Sequence, residues 1–283
     1  MSLKTKTVEI LTRRMLRNPA VGGYASLCTG PPGTGKTSML LHEASTFMQR
    51  YPEEIIFWRD SPDSVVQYNR IGKRYQVLVE DGMDISFHNL SEGGPIDIPF
   101  KTFNSLYDII NPDTGKGLAR PGMLTVLYFK EEYTWIDLLC HLRHCVGWQN
   151  VFIDELEDII PLNPSRRLGE DRNYRMEKNL QFSNDSKQIR KGLVNLLTNT
   201  QSYYEVDWRF RNKLTFLCYL RGSKVDSESR IKQHAVDSLN LGDCFIDMEH
   251  RIYGKLKFPG YPPRFPLFEP VIKTPGGVPP VNF

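Results

Sequence analysis

The chain has 283 residues, 40% of them hydrophobic and 24% charged, the balance of a soluble globular protein with a sizeable core. A formal net charge of +3 excludes a whole-molecule field as the means of holding nucleic acid, so such contact must come from local basic patches. Met1 to Lys6 lacks the apolar core of a signal peptide, no apolar run approaches the roughly 20 residues that span a bilayer, and the five cysteines follow no framework spacing; a cytoplasmic protein is expected.

In chain order, Lys4 to Asn18 interleaves Val8, Ile10, Leu11, Met15 and Leu16 with Arg13, Arg14 and Arg17, which predicts an amphipathic helix with a basic outer face within residues 1–20. Tyr24 to Cys28 reads as a short buried strand, and Ser38 to Met48 as a helix with apolar residues three and four apart. Between them, Gly30-Pro31-Pro32-Gly33-Thr34-Gly35-Lys36-Thr37 fills every fixed position of the phosphate-binding pattern G-x-x-x-x-G-K-[ST], and Ser38 follows in the helix. The spacing has a physical reason. Glycines let the backbone turn tightly and aim successive N–H groups at a β-phosphate, and the helix N-terminus adds positive potential. Lys36 is then placed to reach the β- and γ-phosphates, and the Thr37 hydroxyl to ligate Mg²⁺, so ATP and Mg²⁺ are the expected ligands.

Glu54 to Asp60 predicts a second strand, closed by Ser61-Pro62-Asp63, and Gln76 to Val79 and Ile85 to Phe87 give two more short runs. Asn111 to Gly117 is an exposed loop; Met123 to Phe129 is a strand, followed by a helix through Trp135, Leu138, Leu139 and Leu142. At the end of that helix Cys140 and His144, and His141 and Cys145, stand one turn apart. A closed zinc site draws ligands from two segments and no partner C-x-x-C exists, so an amphipathic face is favoured over metal. Cys28, Cys218 and Cys244 lie in apolar runs and read as core.

Val151-Phe152-Ile153-Asp154-Glu155 is an apolar strand ending in two acids, the Walker B arrangement when it follows a complete phosphate loop. Asp154 is expected to hold Mg²⁺ and Glu155 to orient and polarise the attacking water. Adjacent acids point opposite ways along an ideal strand, so Glu155 must sit where the strand ends. Glu157 and Asp158 read as solvated helix acids. Pro161 to Ser186, with Arg166, Arg167, Arg172 and Arg175, reads as an exposed loop or loosely packed insertion whose arginines are candidate DNA contacts. A helix from Lys187 to Leu197 then leads into Trp208-Arg209-Phe210-Arg211 and the strand Leu214 to Leu220. Its exit residue, Arg221, is expected beside the Walker B strand, facing the γ-phosphate.

Asp243 to Asp247 and Arg251 to Leu256 predict a hairpin, and the proline-rich stretch beyond Pro259 predicts an extended tail, along a neighbour or as a flexible end. The whole reads as a single α/β domain over 1–258, a P-loop NTPase core with a mostly parallel central sheet flanked by helices and a C-terminal β-hairpin, followed by the extended tail 259–283.

The phosphate loop, the Asp-Glu strand and a polar-ended strand after it mark the P-loop ATPases with an extra strand between the two Walker strands. Met123-Leu124-Thr125-Val126 with its helix, Val151 to Glu155, Ile159-Ile160-Pro161, Leu241 to Ile246 and Arg251-Ile252-Tyr253-Gly254 resemble the HerA/FtsK family of DNA-pumping ATPases. The resemblance covers most of Ala25 to Phe258 and is specific at the Walker segments. It implies an ATPase that assembles as a homo-oligomer, usually a hexameric ring, and drives double-stranded DNA through a central pore, with portal, capsid or transfer-apparatus proteins as partners. Where the family carries a sensor glutamine at the end of the fourth core strand, this chain has Arg221; Arg209 and Arg211 fall near the family's arginine finger, which enters the neighbour's site. Zonula occludens toxin-like proteins use a related core in filamentous-phage assembly, so an ATPase that acts on protein is the alternative. A nucleotide-dependent switch without hydrolysis is a third reading, against which Glu155 argues.

Overall fold

Apolar strands alternating with helices can be buried on both faces only if crossovers place helices on each side of a parallel sheet. The computed structural model, which describes residues 18–60, 65–72, 74–162, 172–248, 251–262 and 266–273, has that arrangement. Its elements are β1 (Ala25–Thr29), α1 (Lys36–Arg50), β2 (Ile55–Arg59), β3 (Tyr75–Glu80), β4 (Asp84–Asn89), β5 (Pro95–Ile96), β6 (Phe100–Phe103), α2 (Leu106–Ile109), β7 (Leu124–Tyr128), α3 (Thr134–Leu142), β8 (Gln149–Ile153), α4 (Arg172–Lys191), β9 (Val194–Thr200), α5 (Trp208–Arg211), β10 (Phe216–Leu220), α6 (Gln233–Asp237), β11 (Asp243–Met248), β12 (Arg251–Lys257) and β13 (Phe268–Lys273).

A ten-stranded sheet runs β12-β11-β10-β1-β9-β8-β2-β7-β3-β6. It is parallel from β10 to β6 and turns antiparallel at β11 and β12, the expected C-terminal hairpin. One face is covered by α1 through Met39, Leu40, Leu41, Ala44, Phe47 and Met48, with Cys28, Cys218 and Cys244 in the same core. The opposite face is covered by α3 through Trp135, Leu138 and Leu139, by α4 through Phe182 and by α5 through Phe210. Each such side chain, fully buried, contributes roughly 1.5–3 kcal/mol before the entropy of ordering is counted. A small antiparallel sheet, β13-β4-β5, adds Ile85, Phe87 and Phe268 to the α1 side.

The chain between Pro161 and Gln201 differs from expectation. Instead of a loop and then a helix from Lys187 to Leu197, α4 spans Arg172–Lys191, and Val194–Thr200 is β9, inserted between β1 and β8. The helix escapes a periodicity search because, among its described side chains, Asn179, Phe182 and Ser183 are buried while Tyr174, Met176 and Leu180 stay exposed. Phe268–Lys273 is extended as expected, but it pairs with β4 of its own chain. Residues 1–17, 163–171 and 274–283 lie outside the described residues, which removes most of the N-terminal helix, Arg166 and Arg167 from view. Among the described residues no helix is long and apolar enough to cross a membrane.

Candidate nucleotide site

The phosphate loop leaves β1 at the C-terminal edge of the parallel strands, between the ends of β10 and β9. Gly33 and Gly35 have φ of 78° and 96°, the left-handed region that strains any residue with a Cβ. At Gly33 a Cβ would meet nothing within 4 Å, so the backbone conformation itself calls for glycine there. The Lys36 ammonium donates to the carbonyls of Gly30 (2.8 Å) and Pro31 (3.2 Å), which keeps the buried cation against the loop. Thr37 lies in the first turn of α1, and its hydroxyl donates to both carboxylate oxygens of Asp154, at 3.2 and 3.1 Å. A hydroxyl and a carboxylate meeting at the foot of a phosphate loop form an oxygen-only donor set, which suits a hard divalent cation.

Glu155 sits where the alternation argument requires. β8 ends at Ile153, and Glu155 adopts φ 56°, ψ 68°, turning its side chain into the cavity lined by Lys36, Thr37 and Asp154. A left-handed non-glycine residue costs roughly 1–2 kcal/mol and persists only where surrounding contacts over-determine it. Those contacts are present. The fully buried Arg59 donates to the Asp154 carbonyl and pairs with Glu132 (2.8 Å) and Asp158 (3.2 Å). Asn199, near the end of β9, grips both acids: its Nδ2 donates to the Asp154 carboxylate, and its Oδ1 accepts from the Glu155 N–H at 2.8 Å. Gln201 Nε2 donates to Glu155 Oε1 at 3.3 Å, while its own N–H donates to Glu157 Oε1 at 2.9 Å. Burial raises the Asp154 carboxyl, opposed by the Asn199 and Thr37 hydrogen bonds, and burial pushes Glu157 up to about 7. Glu157 and Asp158 are therefore not solvated helix acids; both brace the turn.

Of the loop residues, Pro32, Gly33, Gly35, Lys36, Thr37 and Ser38 line this cavity with Asp154 and Glu155. Gly30 and Thr34 do not line it: the Gly30 carbonyl accepts from Lys36, and Thr34 donates to the Pro31 carbonyl at 2.7 Å. Arg221 is placed elsewhere: β10 is separated from β8 by β1 and β9, and Arg221 is exposed beyond its end. The residue that follows the strand between the two Walker strands is Gln201. Arg209 pairs with Asp207 at 3.4 Å, and Arg211 lies over the rings of Tyr203 and Tyr204, 4.6 and 5.3 Å from their centroids; both are outside this chain's nucleotide cavity. Arg172 and Arg175 fall in the first turn of α4.

At the end of α3 the side chains disperse. Cys140 donates to Asp185 (2.7 Å), His141 meets the Ile110 carbonyl (2.8 Å), His144 accepts from Arg143 (2.9 Å), and Cys145 donates to the His141 carbonyl (3.7 Å). Burial raises both thiols, Cys140 to about 12 and Cys145 to about 11. Among the described residues no group of three or more His, Cys, Asp or Glu is placed to hold a metal ion. The sequence also hid Asn199, Gln201, Gln67 and Arg70. The first two lie just beyond the helix expected over Lys187 to Leu197, in a stretch for which the sequence predicted no strand, and the last two sit in an irregular stretch after β2 that carries no local pattern.

The fold is that of a P-loop NTPase, with the Walker acids one strand removed from the phosphate strand. No family model and no curated protein matches the sequence. Solved structures do match. The genome packaging NTPase B204 from Sulfolobus turreted icosahedral virus 2 is similar over 86% of this chain and 100% of its own, at 12% identity, with TM-scores of 0.51 in complex with ATP-gammaS and 0.50 with AMPPCP. The pCW3 conjugation coupling protein TcpA matches over 84% of this chain and 61% of its own, at 13% identity and a TM-score of 0.45.

Proposed function

We propose that this chain is an ATP-hydrolysing motor subunit that moves double-stranded DNA and works in an oligomeric, six-membered ring. The observation that carries the hydrolytic part is the strained Glu155, held in the cavity by Asn199 and Gln201 beside the Thr37–Asp154 pair. An acid kept in a costly conformation beside a phosphate loop suits the orienting and polarising of water. The backbone of Pro32 to Gly35 and the Lys36 ammonium would hold the phosphates, and Thr37 with Asp154 would hold Mg²⁺. Magnesium ATP would supply the phosphoryl group that passes to water. Support for a DNA substrate comes from fold similarity to a genome packaging NTPase along that protein's whole length.

In this reading Arg209 or Arg211 enters the neighbouring subunit's site, and Arg166, Arg167, Arg172 and Arg175 hold DNA phosphates without reading bases, because only the backbone repeats at every step. The test is the ATPase rate of the purified chain with and without double-stranded DNA. A rise of several-fold that is lost with added salt is expected. A rate indifferent to DNA turns the assignment toward a motor acting on protein.

A further inference from the structure

Two cations line the nucleotide cavity among the described residues, and they are bound differently. Lys36 rests on two carbonyls of its own loop. Arg70 comes from the opposite bank: it belongs to a single helical turn, Tyr68–Ile71, in the connection that follows β2, the strand beside β8. That connection is anchored at both sides. The Gln67 N–H donates to Asp60 at 2.7 Å, the Val66 N–H donates to the Phe268 carbonyl at 2.9 Å, and the fully buried Tyr68 packs on Tyr75 and Phe268.

Arg70 itself is half-buried; burial lowers the pKa of its guanidinium, and the nearby carboxylates of Asp60 and Asp154 only partly oppose this. Its Nη1 donates to the carbonyl of Tyr261 at 3.1 Å, which commits one of five guanidinium N–H donors to a neutral partner. The chain that supplies this carbonyl also touches the phosphate loop. Phe258 packs over Gly35, its ring 3.2 Å from where a Cβ would stand, and Tyr261 lies against His42 of α1, ring centroids 6.5 Å apart. One C-terminal segment therefore links the loop, the helix behind it and the arginine.

Resting on the nucleotide reading above, we infer that Arg70 is the cation this chain itself supplies to the terminal phosphate of bound nucleotide, positioned by Phe258, Tyr261 and Phe268 of the C-terminal part of the chain. Its place across from the phosphate loop, on the bank of Asp154 and Glu155, is where charge beyond the β-phosphate has to be met, and a guanidinium fork matches phosphoryl oxygens better than an ammonium does. Arg70 is thus distinct from Arg209 and Arg211, which lie outside this cavity and one of which the reading above assigns to a neighbour's site.

The test uses the full chain and isothermal titration with Mg-ADP and Mg-ATPγS. Arg70→Gln is the variant of choice, since it removes the charge and keeps a donor for the Tyr261 carbonyl. Its affinity for ATPγS should fall about 10-fold or more while its affinity for ADP stays within about twofold, and ATP hydrolysis should fall by about 10²-fold. Arg70→Lys, which keeps the charge without the fork, should recover part of the ATPγS preference. Unchanged binding of both nucleotides in Arg70→Gln, or loss of both by the same factor, overturns the inference. Lys36→Ala serves as the separate check: if it binds both nucleotides as tightly as the parent chain, the nucleotide reading fails and takes this inference with it, whereas equal losses in Arg70→Gln remove the inference alone.

Discussion

β1 and β9 lie side by side in parallel register, both fully buried, and are built of different material. β1 carries Ala25, Leu27 and Cys28, which need only apolar neighbours; β9 carries Asn195, Thr198, Asn199 and Thr200 at zero exposure. A buried polar group left unpaired costs roughly 1–3 kcal/mol, so β9 is tolerable only because its donors are met. Asn195 donates to Asn150 (2.8 Å), which in turn donates to Glu54 (2.7 Å); Thr198 donates to the Ser26 carbonyl (2.8 Å), and Thr200 to the Ser202 carbonyl (3.0 Å). Toward its C-terminal end the same polar line reaches the Walker acids through Asn199. One strand thus delivers the phosphate loop by hydrophobic burial, and its neighbour shapes the acids by hydrogen bonding.

The strongest way to break this division is at the loop itself. Lys36→Ala should abolish detectable nucleotide binding, whereas Glu155→Gln should bind nucleotide and lose roughly 10²-fold or more in hydrolysis. Titration calorimetry and phosphate release separate the two outcomes. Turnover of Glu155→Gln within a few-fold of the parent would take water activation away from that residue.

On the β9 side, Asn199→Ala removes a side chain that touches both acids. It takes one donor from the buried Asp154 carboxylate, which still accepts from Thr37, and removes the acceptor of the Glu155 N–H, so a stability loss of about 2 kcal/mol by urea unfolding and a fall in hydrolysis of about 10- to 100-fold are expected. Full activity in a folded Asn199→Ala chain would show that the turn holds its shape without β9. Gln201→Ala should be milder. Gln201 is exposed, so stability should stay within about 0.5 kcal/mol while hydrolysis falls about 10-fold through loss of the Glu155 contact. A stability loss larger than the activity loss would make Gln201 a brace for the loop alone.

What the sequence made legible follows the same division. β1, α1 and β8 were readable because fixed motif spacing and unbroken apolar runs are local signals, and even the place of Glu155 beyond the end of β8 followed from strand alternation, though its left-handed conformation did not. β9 was not, because Asn195, Thr198 and Asn199 are paid for by partners such as Asn150, Ser26 and Asp154 that are far away in the chain. α4 hid because two of its three buried described side chains, Asn179 and Ser183, are polar and only Phe182 is apolar. Arg70 hid for a third reason: its position depends on the pairing of Val66 with Phe268, a tertiary contact with no local trace.

The finest test concerns Glu157, which links β9 to the turn by accepting the Gln201 N–H. Burial raises its carboxyl from the ordinary 4.5 to about 7, and its Oε2 is buried without a hydrogen-bond partner. The folded chain therefore holds this proton more tightly than the unfolded chain does between about pH 4.5 and pH 7. Stability from this group is present below that window and is lost as pH rises through it. Asp60, also raised to about 7 by burial, acts in the same sense, so part of the slope will persist without Glu157. Glu157→Gln keeps an acceptor for the Gln201 N–H and removes the charge. Relative to the parent it should gain stability as pH rises from 5 to 8, by something on the order of 1 kcal/mol once partial exposure is allowed for, with hydrolysis at pH 8 within a few-fold. Urea unfolding at several pH values reads this directly. Parallel pH profiles for the two chains would mean that Glu157 is charged in both states, and that the turn is held by Arg59 and Asn199 without help from a protonated acid.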